Sequence, residues 1–177
     1  MHMRLTSLVT EITLDTAQPY ATWFTWTSAG FGDESWKTSF EADGQRIDIM
    51  MIGYQKALGL TYVMEYRVPS KTGTSTTYSH DRSAAQLDYF RLMTTMLEAI
   101  IDFCTQHAPA AIDVSGSDEN LSRADQKTRI YAALLRSNST RLAQAGYRVL
   151  QTDRKLEIVR DDISDASGID TPDNSNM

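Results

Sequence analysis

Between Ser83 and Val149 the spacing of apolar positions changes twice, and each change marks a boundary between element types. Phe90, Met93, Leu97, Ile100, Ile101 and Cys104 recur every three or four residues, which predicts a long helix with one core-facing stripe. Ser83-Ala-Ala-Gln86 has the form of a capping box at its start, and Pro109 follows its end, with His107 in the last turn. Ile112 to Ser115 then alternates apolar and polar residues, the period of a strand. Helical spacing returns after Ser122-Arg-Ala-Asp125. It places Ile130, Tyr131, Leu134 and Leu135 inward and Arg129 and Arg136 on the opposite side. Ser137-Asn-Ser-Thr140 consists of poor helix formers, which predicts a break and a short restart through Ala145. Gly146 supplies the stop, and Tyr147 to Gln151 and Leu156 to Arg160 read as two closing strands.

The first half of the chain reads as strands. Tyr20 to Thr27 is aromatic and β-branched, and Trp36 to Glu41 and Gln45 to Tyr54 flank an Asp43-Gly44 turn, a strong hairpin signal. Leu60 to Val68 predicts a further strand ended by Pro69. Ser70 to Ser79 reads as a turn at Lys71 to Gly73 followed by a strand rich in threonine. Strands followed by helix, strand, helix and two strands predict an α+β fold with a mixed, mostly antiparallel sheet and two main helices.

A length of 177 residues with 41% hydrophobic content favours one domain, set at residues 1–160. Residues 161–177, rich in Asp, Ser and Asn, are expected to be a disordered acidic tail. No apolar run approaches the roughly 20 residues of a membrane span, and the start lacks a signal-peptide pattern, so the expectation is a cytoplasmic protein with no membrane partner. Met1-His2-Met3 offers two starts, and His2 is given no chemical role.

Net charge is −6, unevenly spread. Residues 122–160 hold nine Lys or Arg against three acids, whereas the residues on either side are acidic. The plain reading is a solvated helix face complementing acids elsewhere in the fold; the functional one is a docking surface for phosphates or acidic protein patches. Catalytic motifs are sparse. Three histidines and one cysteine, widely spaced, predict no metal site. Lys71-Thr-Gly-Thr-Ser lacks P-loop spacing, and His80-Asp81 beside Ser79 lacks a nucleophile elbow. Cys104 lies on the apolar stripe and reads as a small core hydrophobe.

Over residues 20–160 the order of elements resembles the GNAT acetyltransferase superfamily, and Asn138-Ser-Thr-Arg-Leu-Ala-Gln-Ala-Gly146-Tyr147 looks like its late helix running into Gly-Tyr and a strand. The resemblance implies a GNAT-like core in which backbone N–H groups at the start of the long helix hold the pyrophosphate of acetyl-CoA. In this chain the corresponding stretch is Arg82-Ser-Ala-Ala85-Gln-Leu87, with alanine and leucine where close backbone approach wants small residues. The tyrosine that would protonate the departing thiolate falls at Leu142, and Tyr131 is the nearest substitute. A groove between Leu60–Val68 and Ile112–Ser115 decides the matter, since splayed strands admit pantetheine and paired strands exclude it.

Ser115-Gly-Ser117-Asp118 followed by Arg123-x5-Arg129-Ile130-Tyr131 and a basic helix ending in Gly-Tyr is similar to small proteins of tailed bacteriophages. That resemblance implies a phage accessory or virion-associated protein. The combined expectation is a catalytically degraded acetyltransferase-like fold that binds a macromolecular partner, a protein first and a nucleic acid second, through Arg123, Arg129, Tyr131 and Arg136, with no cofactor. The alternatives are an acyl-CoA-dependent N-acetyltransferase, with acetyl-CoA as cofactor, and a basic nucleic-acid-binding module.

Overall fold

The computed structural model describes residues 17–30, 34–57, 59–72, 75–79, 87–115, 121–152 and 155–163, the side chains of 69–72, 75–79 and 121–126 excepted. Eight strands, β1 (Thr27–Ser28), β2 (Trp36–Ala42), β3 (Gln45–Lys56), β4 (Gly59–Thr72), β5 (Ser75–Ser79), β6 (Ala111–Asp113), β7 (Tyr147–Gln151) and β8 (Leu156–Arg160), form one sheet. Among the described residues three helices accompany them: α1 (Tyr89–His107), α2 (Leu121–Ser137) and the short α3 (Ser139–Gln144). The sheet order is β1-β2-β3-β4-β6-β8-β7, with β5 paired to β4. Every pairing is antiparallel except β4 with β6, the pair joined through α1.

The β2–β3 hairpin follows from its turn. Asp43 and Gly44 both take positive φ, 49° and 78°, the two-residue geometry whose twist matches that of the flanking strands. Its register sets Phe40 opposite Ile47, Thr38 opposite Ile49 and Trp36 opposite Met51. One face therefore carries a continuous apolar band. On β4 the same face carries Tyr62, which meets Phe103 of α1 edge-on at 4.9 Å. Leu92, Met93, Met96, Leu97, Ile100, Phe103 and Cys104 bury the helix side of this core. Ile112, Leu142, Tyr147, Leu156 and Ile158 extend the core toward the C-terminal strands.

Four expectations move. Helix α1 starts at Tyr89, not in the Ser83 capping box: Ser83 to Gln86 lie outside the described residues, and Asp88 is the N-cap, accepting from Arg91 N at 2.9 Å. Of the expected strand Tyr20 to Thr27, only Thr27 lies in a strand, β1. The preceding residues are committed to α1 instead: Tyr20 N donates to Thr95 Oγ1 at 2.8 Å and Trp26 Nε1 to Asp102 Oδ2 at 2.8 Å, while Phe24 and Trp26 fill the core. The segment from residue 17 to 26 is thus a strap laid along the helix. Pro69 does not end β4, which runs on to Thr72 paired with β5. A proline costs a ladder bond only where its N–H faces a partner, and an edge position accommodates it. Ile112–Ser115 is shorter than expected, because β6 ends at Asp113.

Both closing strands have the predicted bounds, and the helix break falls at Asn138. Gly146 takes φ +84°, a conformation that carries a steric penalty for any side chain. Helix α1 ends on Ala108 in the left-handed region, φ 45°, despite its Cβ. Packing on both sides holds it: Arg160 donates to Ala108 O at 2.7 Å and the Tyr147 hydroxyl to Pro109 O at 2.9 Å. Among the described residues no helix is long and apolar enough to cross a membrane. The 161–177 tail is described only to Ile163, where Asp161 N still donates to Gly146 O at 3.0 Å.

Candidate functional site

The parallel pair β4–β6 is short. It runs from Thr61 opposite Ala111 to Val63 opposite Asp113, so the strands expected to decide on a pantetheine groove are paired over these residues. Val114 N donates to Leu156 O at 2.9 Å, so the chain leaving β6 follows β8, while β4 continues for nine residues to Thr72. The polar strand end at this divergence is used by the fold. Ser115 N donates to Asp113 Oδ1 at 3.0 Å, and Ser115 Oγ accepts from Leu156 N at 2.9 Å. On β3 and β8, Lys56 Nζ reaches Glu157 Oε1 at 3.3 Å, and Lys155 closes on the same carboxylate. This bridge spans the β4–β6 pair and has no signature in sequence, since Lys56 and Glu157 are 101 positions apart.

At the N-terminus of α1 lies an open hollow of about 610 Å³ lined by Tyr20, Asp43, Leu87, Asp88, Tyr89, Phe90 and Arg91. The Tyr20 hydroxyl donates to Asp43 Oδ2 at 3.2 Å and accepts from Asp88 N at 3.0 Å. The Arg91 guanidinium sits 4.0 Å over the Tyr20 ring, and its Nε donates to Gln18 O at 3.0 Å. Burial, and then the neighbouring Asp43 carboxylate, raise the phenol's pKa against the Asp88 hydrogen bond that lowers it. Leu87 is 4% exposed and belongs to the core. The start of α1 therefore buries a leucine and is capped by the chain's own carboxylate. The sequence reading places the cap at Ser83 and misses Asp88, although an aspartate just before the apolar stripe is a signal that could have found it; its junction with Tyr20 and Asp43 has no such signal.

The predicted binding residues sit on α2. Arg129 and Arg136 are exposed, seven positions apart and so within roughly 20° of one another around the helix. Tyr131 lies roughly 160° round from Arg129 and is packed against the core, its pKa raised by burial against the pull of Lys127. Arg123 falls roughly 120° from Arg129 on the same helix, and its side chain is outside the described ones. The arrangement thus pairs two of the four residues. Arg136 reaches the Gln151 amide oxygen of β7.

Three further cations of the basic region have carboxylate partners. Arg141 grips Glu98 of α1 with two bonds of 2.8 Å, Lys155 holds Glu157, and Arg160 holds Asp162 at 2.7 Å. Of these, only Arg141–Glu98 reaches an acid elsewhere in the fold; the other two pairs join residues two positions apart.

Nucleophilic chemistry finds little support in these side chains. Burial pushes the Cys104 thiol up to about 12, the direction that suppresses thiolate. His107 stacks against Phe103 at 4.5 Å and lies 4.2 Å from the Trp36 ring. Its pKa is lowered by burial and partly restored by Asp102. Among the described residues no three His, Cys, Asp or Glu side chains group as a metal site. His80, Asp81 and Ala85 lie outside the described residues. No protein-family model and no curated protein matches this sequence.

Proposed function

We propose that this chain is a binding protein on an acetyltransferase-like scaffold, an accessory or virion-associated protein of phage type that engages a macromolecular partner and does not transfer acyl groups. The scaffold reading is supported by the sheet order, by the single parallel pair crossed through the long helix, and by the Asn138 to Tyr147 run into an outer strand. The phage reading rests on the Arg123-x5-Arg129-Ile130-Tyr131 segment. One observation carries the loss of cofactor binding: Asp88 caps α1 with its own carboxylate while Leu87 is buried beneath. A helix N-terminus attracts anions through free N–H groups and its partial positive charge. Here a resident anion takes that place, and Asp43 adds a second beside it. The contact face is the outward pair Arg129 and Arg136, whose partner would be an acidic protein surface.

Titration calorimetry with acetyl-CoA tests this. The expected dissociation constant is millimolar or weaker, about −4 kcal/mol. Micromolar binding with acetyl transfer abolished in Tyr131→Phe would establish the second reading, an acyl-CoA-dependent N-acetyltransferase. That reading draws on one observation, that β4 and β6 pair over three residues each and the ladder ends at Val63 and Asp113.

A further inference from the structure

We infer that β7 is a pairing edge for a second copy of this chain, through a two-fold antiparallel junction centred on Val149. The sheet order ends at β7, which pairs only with β8 among the described residues. The hydrogen bonds at the ends of the β7–β8 hairpin fix which way each backbone group points. Thr152 N donates to Lys155 O, and Asp161 N donates to Gly146 O. Pairs in an antiparallel ladder alternate between bonded and non-bonded, so Arg148 and Leu150 bond inward to Val159 and Glu157. Tyr147, Val149 and Gln151 therefore turn their N–H and C=O groups outward. Consistently, Leu156 and Arg160, opposite Gln151 and Tyr147, spend their own N–H groups on the β6 side.

A second β7 placed antiparallel with Val149 opposite Val149 brings Tyr147 opposite Gln151 of the other copy. That register forms six backbone hydrogen bonds, two at the centre and two at each flank. It also sorts the side chains. On one face Arg148 falls opposite Leu150 of the other copy, so no two like charges stand directly opposite one another. Leu150, 40% exposed, is one of only two large hydrophobics left exposed among the described residues. On the other face the two Val149 side chains pair. A strand that meets itself with cation over leucine and valine over valine is self-complementary, the requirement for an isologous contact. Among the described residues the opposite end of the sheet order is the two-residue β1. A five-residue edge is a small interface, and the dimer it makes is of micromolar strength.

Light scattering across a dilution series into the hundred-micromolar range reads this directly. The full chain should approach twice its 19.9 kDa mass at the top of the series. Val149→Pro removes an outward N–H and leaves the β8 ladder intact. It should weaken association tenfold or more, with far-UV dichroism and the thermal midpoint showing that the fold persists. Leu150→Arg tests the register without a proline, since it sets Arg148 of each copy against the introduced guanidinium of the other and should give monomer. The exchange Arg148→Leu with Leu150→Arg restores cation over leucine and should restore the dimer. A full chain that stays at 19.9 kDa throughout, a dimer indifferent to both Val149→Pro and Leu150→Arg, or an exchange variant that remains monomeric overturns the inference.

Discussion

His107 shows how one side chain couples the fold to pH. It ends α1, stacked on Phe103 and beside Trp36, and its Nε2 is buried with no hydrogen-bond partner among the described residues. Burial holds its pKa below the ordinary 6.5. The unfolded chain therefore binds the proton first as pH falls. The stability His107 contributes is complete above about 6.5 and declines with acidification until the folded-state pKa is reached. Denaturant unfolding at pH 7.5 and pH 5 should show this decline, and His107→Phe should reduce it; an unchanged pH slope in that variant would assign the loss to other groups. Cys104 gives a second test at this scale. Buried, with its thiol pushed up to about 12, it should resist alkylation in the native state and react once the chain is unfolded in urea.

At the level of elements, the sequence is most readable where structure is local. The β7 and β8 bounds, the Asp43-Gly44 hairpin, the break at Asn138 and the stop at Gly146 each follow from neighbouring residues. The misreadings are those in which a distant partner decides. Tyr20 to Trp26 has strand composition, yet Thr95 and Asp102, about 75 positions away, take its polar groups. The same holds for the candidate site: Asp88 carries a local cap signal that the Ser83 capping box overshadows, whereas the Tyr20–Asp43 bond joins residues that no spacing relates. Two substitutions test α1. Asp88→Ala should cost about 1 kcal/mol, the loss of an N-cap. Leu97→Ala, at a site 1% exposed, should cost roughly 2 to 5 kcal/mol through lost burial and the cavity left behind. Equilibrium unfolding reads both. A neutral Leu97→Ala would place that face of the helix outside the core.

For the whole molecule, the division of charge is partly an internal matter. Arg141 with Glu98 joins α3 to α1, and Lys56 with Glu157 ties β3 to β8. The Arg141–Glu98 pair is partly exposed, so a double-mutant cycle should return a coupling of about 0.2 to 1 kcal/mol, falling as salt is raised. The strap along α1 bears on how the chain is made. Ribosomes deliver the N-terminus first, yet Phe24 and Trp26 find their cover on a helix completed only at His107. During synthesis the β2–β3 hairpin can close on its own, while two of the most adhesive side chains wait uncovered for about 80 further residues. The emerging chain thus offers an aromatic tag to chaperones until α1 is complete, and withdraws it once the helix docks.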